Sequence, residues 1–133
     1  MQEQNPIVLM NFSGIYREEE FWKTDRYPGL SFRMSVGQTA IVMRKQSQRL
    51  INEQKIYPTA GIHFIDSGNY HYMTRLWLTR MDQPFCLLVY DNHTDMHLRL
   101  WWDLSCGGWI AAALEDLENL KYVILVGPDE SSL

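Results

Sequence analysis

Apolar residues gather in short runs along the chain, at residues 7–10, 61–65, 85–90 and 122–126. The last three are rich in Ile, Val, Leu and aromatic residues and show little polar alternation. Strands buried on both faces, as in a parallel sheet, carry this pattern. Between the runs the spacing changes. Across residues 70–81 the bulky side chains Met73, Leu76, Trp77 and Arg80 fall three or four apart. Across residues 109–120, Ile110, Ala113, Leu114 and Leu117 form one apolar helix face, with Glu115, Asp116 and Glu118 on the other. Ser105 suits a cap for that helix, and Gly107 with Gly108 suits a tight turn into it. Strand and helix in alternation predict right-handed crossovers and an α/β fold, a parallel sheet with helices on both faces.

One stretch fits neither period. Residues 30–48 mix β-branched side chains with a basic patch that includes Arg44, Lys45 and Arg49. The plain reading is a loop leading into a solvated helix that runs to about Lys55.

The length of 133 residues suits one domain that can bury a core without staples. Hydrophobic residues are 46% and charged residues 21%, a balance that argues against disorder. A net charge of -4 without a strong basic cluster offers no footprint for nucleic acid or for an anionic membrane surface. The opening residues lack the basic and apolar regions of a signal peptide, and the longest apolar run, residues 84–90, is too short to span a bilayer. The cytoplasm is the expected compartment. Cys86 and Cys106 make no disulfide framework, and Cys86, within an apolar run, reads as an inert core thiol.

Ligands of open parallel sheets bind beyond the carboxyl ends of the strands. Three of the apolar runs open there into Asp66-Ser67-Gly68-Asn69-Tyr70-His71, Asp91-Asn92-His93-Thr94-Asp95 and Gly127-Pro128-Asp129-Glu130. If the chain stays extended, the spacing of Asp91, His93 and Asp95 turns all three to one side. Two carboxylates and an imidazole suit a divalent ion such as Mn²⁺, and close carboxylates repel unless a cation lies between them. The alternative is a polar turn in which an aspartate caps the next element. His71 is the next candidate ligand. His63 reads as a hydrogen-bonded core or interface residue, and His97 as a solvent-exposed loop residue. Asp66 is either an acceptor behind a ligating histidine or a strand-end residue. Asp129 and Glu130 read as solvated. Trp101, Trp102 and Trp109 read as core, with a substrate wall as the lesser alternative.

The run 87–95 resembles the strand and Asp-x-His-x-Asp signature of the ureohydrolase (arginase and agmatinase) superfamily. Residues 61–72 look like its preceding histidine segment, and residues 104–109 like the glycine loop that opens the next helix. Together with residues 11–16 they look most like the N-terminal portion of an uncharacterised bacterial arginase-like branch. The resemblance implies a three-layer α/β/α domain with a dinuclear Mn²⁺ site. His71, Asp91 and Asp95 would face one ion. Asp91 and His93 would face the other, with Asp91 bridging. The implied activity is hydrolysis of a C–N bond in a guanidino or amide substrate by metal-activated water.

The chain departs from that pattern in three places. The second aspartate pair of the family would lie beyond Leu133, Cys106 stands where arginases carry a histidine, and residues 30–48 do not match. The expectation is therefore a truncated arginase-like domain, inactive alone, which would take a complementing C-terminal fragment or further copies of itself as partner. A non-catalytic pseudoenzyme or interaction domain is the alternative. A half sheet would leave an unpaired edge beside residues 122–126. The family branch carries a Gly-Thr-Asp-Cys-Tyr-Cys-Asp-Glu-Glu-Ala segment, and codons for Val36 to Gln46, read from the third base, can encode that peptide. Residues 30–48 are accordingly expected to be an aberrant, out-of-frame segment, with the frame restored near Leu50. Sequencing the gene tests this: read one base off, it should give that decapeptide, and any other peptide rules the frame change out.

Overall fold

The computed structural model describes residues 7–17, 19, 29–32, 41–98 and 104–128. These form an α/β arrangement of β1 (Ile7–Met10), β2 (Gly29–Phe32), β3 (Ile41–Val42), α1 (Arg44–Gln54), β4 (Ile62–Ile65), α2 (Met73–Leu78), β5 (Phe85–Tyr90), β6 (Leu104–Ser105), α3 (Trp109–Asp116) and β7 (Leu120–Val126). Strand β1 lies between β2 and β4, and both pairings are parallel. Strands β5 and β7 form a second parallel pair, while β3 and β6 make a short antiparallel ladder. The four apolar runs all become strands, and the crossovers carry helices as expected. The single continuous parallel sheet does not form among the described residues. Instead β4 and β5, consecutive strands joined through α2, are not hydrogen-bonded to each other.

Both long helical readings shorten. The 70–81 segment follows a 3-10 turn, Gly68–Tyr70, and its helix α2 spans only Met73–Leu78. Helix α3 ends at Asp116 because Leu117 turns extended, at φ -102° and ψ 96°, to lead into β7. The residue before α3 is Gly108, which makes no side-chain cap. Ser105 is not the cap: it belongs to β6, where it is paired with Ile41. Leu114, assigned to the apolar face, is exposed, whereas Ile110, Ala112 and Ala113 are fully buried.

The core forms where β1 and the inner face of the β5–β7 pair meet the helices. Val8, Met10, Leu76, Trp77, Val89 and Ile110 are buried in it. Leu87, Val123 and Leu125 pack against it from the second pair. The Trp77 indole donates to the Met10 sulfur at 3.0 Å, tying α2 to β1. Arg80 donates to the carbonyls of Gln54 and Tyr57 at 3.0 and 2.7 Å, so the end of α2 closes the end of α1. That contact agrees with a helix running to about Lys55, although α1 is not purely solvated, since Leu50 and Gln54 are buried. Of the segment 30–48, the described parts are the end of β2, β3 and the first turns of α1.

The second parallel pair is covered on one side only. Leu88, Tyr90, Tyr122, Ile124 and Val126 are 43% to 75% exposed on its outer face. Cys86 lies on that face and is exposed, so it is not a core thiol. The alternation of buried and exposed positions in β5 is a structural fact that its uniformly apolar sequence does not display. Among the described residues no helix is long and apolar enough to cross a membrane.

His63 is half-buried in β4 with its ring edge-on to Trp77, the centroids 4.2 Å apart. Its Nε2 is buried and has no hydrogen-bond partner, so only part of the expected hydrogen-bonded role is realised. Burial, reinforced by the Arg80 charge against an opposing contact to the Pro58 backbone, lowers its pKa below 6.5. The unfolded chain therefore takes up a proton first as the pH falls through 6.5. The His63 contribution is full above that pH and declines between it and the lower folded-state pKa. Urea midpoints at pH 7.5 and 5.5 should fall further for the native chain than for His63→Phe; an equal fall in both would refute the linkage.

Candidate metal centre

The carboxyl ends of β4 and β5 deliver the candidate ligands. Beyond β4, Asp66 takes no part in holding a histidine. Its Oδ2 accepts from the backbone amides of Phe12 and Ser13, both at 2.8 Å. Its Oδ1 accepts from the Ser13 hydroxyl and the Ser67 amide, both at 2.7 Å. Asp66 is thus the strand-end residue of the two readings, and it clamps the loop leaving β1 to the loop leaving β4. From that anchor the 3-10 turn carries the chain to His71, whose amide donates to the Gly68 carbonyl at 3.1 Å.

The chain beyond β5 does not stay extended. The Asp91 Oδ1 accepts from the His93 amide at 2.9 Å, an Asx-type turn that bends the backbone at once. Asp95 then sits at φ 48°, in the left-handed region that few residues other than glycine adopt. The expected alignment of Asp91, His93 and Asp95 along one side therefore fails, because it required an extended chain. Asp91 and Asp95 turn inward while His93 stays 82% exposed.

His71, Asp91 and Asp95, the three that the resemblance sets around one ion, do come together. Their ligand atoms lie within 4.8 Å of one another. The His71 Nδ1 is 3.3 Å from Asp91 Oδ2 and 3.1 Å from Asp95 Oδ2. His93 approaches the other oxygen of Asp91, with Nδ1 3.2 Å from Oδ1. Asp91 thus stands between two imidazoles with one oxygen turned to each. Burial alone would raise the Asp91 pKa. The hydrogen bonds from the His93 amide and ring, with the charges of His71 and His93, outweigh it and hold the carboxyl below its usual range.

Asp95 is the most buried member, and its position is dictated by α3. The Trp109 indole donates to Asp95 Oδ2 at 2.6 Å, and the Ile110 amide donates to the Asp95 carbonyl at 3.1 Å. The Trp109 ring also lies against His71, centroids 4.8 Å apart. Trp109 is core, as read from the sequence, and its polar edge in addition orients two candidate ligands.

Glycines allow this close approach. A Cβ at Gly108 would stand 2.9 Å from the His97 carbonyl oxygen, and one at Gly107 would meet the His97 ring at 2.9 Å. Gly127, at φ 124° after β7, lies against the backbone of Asp91, where a Cβ would meet the carbonyl oxygen at 2.5 Å. In the sequence it is marked only by its place directly after the apolar run 122–126. An open cavity of about 700 Å³ surrounds the cluster, lined also by Ser67, Asn69, Thr94, His97 and Cys106. His97 is exposed, as expected, yet it borders this cavity. Trp101, Trp102, Asp129 and Glu130 lie outside the described residues.

The donor set fits a small divalent cation. Neighbouring ligands around an octahedral ion that bonds at about 2.1 Å lie about 3 Å apart, close to the two separations His71 makes. Two carboxylates and one imidazole, with a cavity for water, match the chemistry of ions that prefer oxygen and nitrogen.

An uncharacterised protein of Thermotoga maritima is 30% identical over 125 residues, which is 93% of this chain and 49% of that protein. The chain therefore spans about half the length of the curated relative it matches. No family model and no solved structure matches it.

Gly127→Ala should destabilise the chain by about 1–3 kcal/mol, the usual cost of a side chain forced into a disfavoured backbone region. Gly68→Ala, where a Cβ meets nothing within 4 Å, should be near neutral. Urea denaturation of both variants checks this, and equal effects would discount the approach to Asp91.

Proposed function

We propose that the chain is the N-terminal, metal-binding half of an arginase-like hydrolase of C–N bonds, built on a three-layer α/β/α domain. The observation that carries the reading is the convergence of His71 Nδ1 on carboxylate oxygens of Asp91 and Asp95 at the carboxyl ends of two parallel strands. It joins the resemblance of residues 61–72 and 87–95 to the ureohydrolase superfamily.

In this reading His71, Asp91 and Asp95 hold one Mn²⁺, and Asp91 with His93 faces a second. The ions would supply Lewis acidity and an activated water toward a guanidino or amide carbon. The chain's own residues do the positioning. Trp109 fixes the inner oxygen of Asp95, His93 fixes one oxygen of Asp91, and the other oxygen is left to meet His71. The left-handed conformation at Asp95 is the kind of backbone strain that a binding site retains. Cys106 borders the cavity where a histidine would serve proton transfer in arginases, so guanidino specificity does not carry over with the fold.

In this reading His71, Asp91, His93 and Asp95 by themselves bind the ions loosely and support no turnover. Calorimetric titration with Mn²⁺ should show weak binding that Asp91→Asn and Asp95→Asn abolish, with no hydrolysis of arginine or agmatine. Absence of Mn²⁺ binding would sink the metal reading. Turnover by the purified chain would sink the fragment reading. The second reading, a non-catalytic interaction domain, draws on the exposed apolar face of the β5–β7 pair. It requires that chelation leave the thermal midpoint unchanged in the presence of Mn²⁺.

A further inference from the structure

The outer face of β5 and β7 is out of keeping with the rest of the sheet. Parallel sheets occur almost only with both faces covered, because their crossovers place helices there. Here the inner face is covered: Val89 is buried, and Leu87, Val123 and Leu125 pack on the core. The outer face offers Leu88, Tyr90, Tyr122, Ile124 and Val126 to solvent, with Cys86 among them. Contiguous apolar surface of this kind marks an interaction site. The strand edges point the same way. Among the described residues β4 pairs with β1 alone and β5 with β7 alone, though both strands feed the same cluster.

The length of the relative indicates what covers this surface. The chain matches 49% of the Thermotoga maritima protein, so about as much polypeptide again lies outside the match. We propose that the outer face of the β5–β7 pair is the docking surface for a polypeptide equivalent to that unmatched half, supplying an apolar helical layer over Tyr90, Tyr122 and Ile124 and strands for the open edges. A second copy of this chain could cover the patch or pair with an open edge, and self-association is therefore an outcome that counts against the proposal. The inference rests on the fragment reading proposed above, through the sheet and the length of the relative, and not on the bound metal.

Cys86 lies within the surface and reports on it. In a Cys106→Ser chain it is the single thiol. The probe is the unmatched half of the Thermotoga maritima protein, expressed as a separate polypeptide and mixed with this chain. Expected are a one-to-one complex by sizing with light scattering and at least a tenfold slower alkylation of Cys86 by iodoacetamide. Tyr122→Lys with Ile124→Lys should abolish both effects while leaving the far-UV circular dichroism of the chain unchanged, since both side chains project away from its core. Three results would overturn the proposal: no complex; a complex in which Cys86 keeps its free reactivity; or protection of Cys86 by self-association of this chain alone.

Discussion

Two carboxylates meet one imidazole in this molecule, and the arrangement of the loops around them follows from that encounter. Asp91 and Asp95 place oxygens within 4.8 Å of each other and of His71. Two full negative charges at such a separation repel by about 3 kcal/mol at an effective dielectric near 20, and Asp95 is largely removed from water. The fold answers with donors on every side: the Trp109 indole on Asp95, the His93 amide and ring on Asp91, and His71 between them. A cation at the shared point would complete the neutralisation that these neutral or partly charged donors begin.

Such a cluster persists only if the loops that bear it are held. The clamp at Asp66 fixes the turn that presents His71, using two backbone amides of the β1 loop. Helix α3 fixes Asp95 through Trp109 and Ile110, while Gly108 lets the 95–98 segment lie against the turn before that helix. Gly127 lets the end of β7 lie against Asp91. Three elements distant in sequence thus converge on two side chains. The buried core beneath them, from Met10 and Trp77 to Val89 and Ile110, supplies the rigidity.

The two halves of the strand set differ in completeness, and this bears on both readings of function. Beneath the cluster the core is closed. On the far side of β5 and β7 the apolar face is bare, and β4 and β5 do not pair. A cluster built at the junction of two unpaired strands has one side formed by the chain and another open.

Among the described residues β1, β4, β5 and β7 were legible as apolar runs, whereas β2, β3 and β6 were not, because they are short, carry no such run, and β2 and β3 fall where the sequence read as a loop. Helix α3 was legible from the spacing of Ile110 and Ala113, and Asp91, Asp95 and His71 from their place just beyond apolar runs. Much else belonged to the tertiary structure. Local pattern shows which residues are apolar and not whether something covers them, so Cys86 and Leu114 read as buried and are exposed. Strand pairing is a long-range choice, so the absence of a ladder between β4 and β5 left no trace in either run. The same holds at the cluster. The spacing of Asp91, His93 and Asp95 presumed an extended backbone, but the turn closed by Asp91 and the left-handed Asp95 separate His93 from the other two and bring His71 in its place. The sequence by itself determined which side chains were available at the edge of the sheet. Only the tertiary structure decided which of them meet, because a dihedral angle at one residue redirects every side chain that follows it.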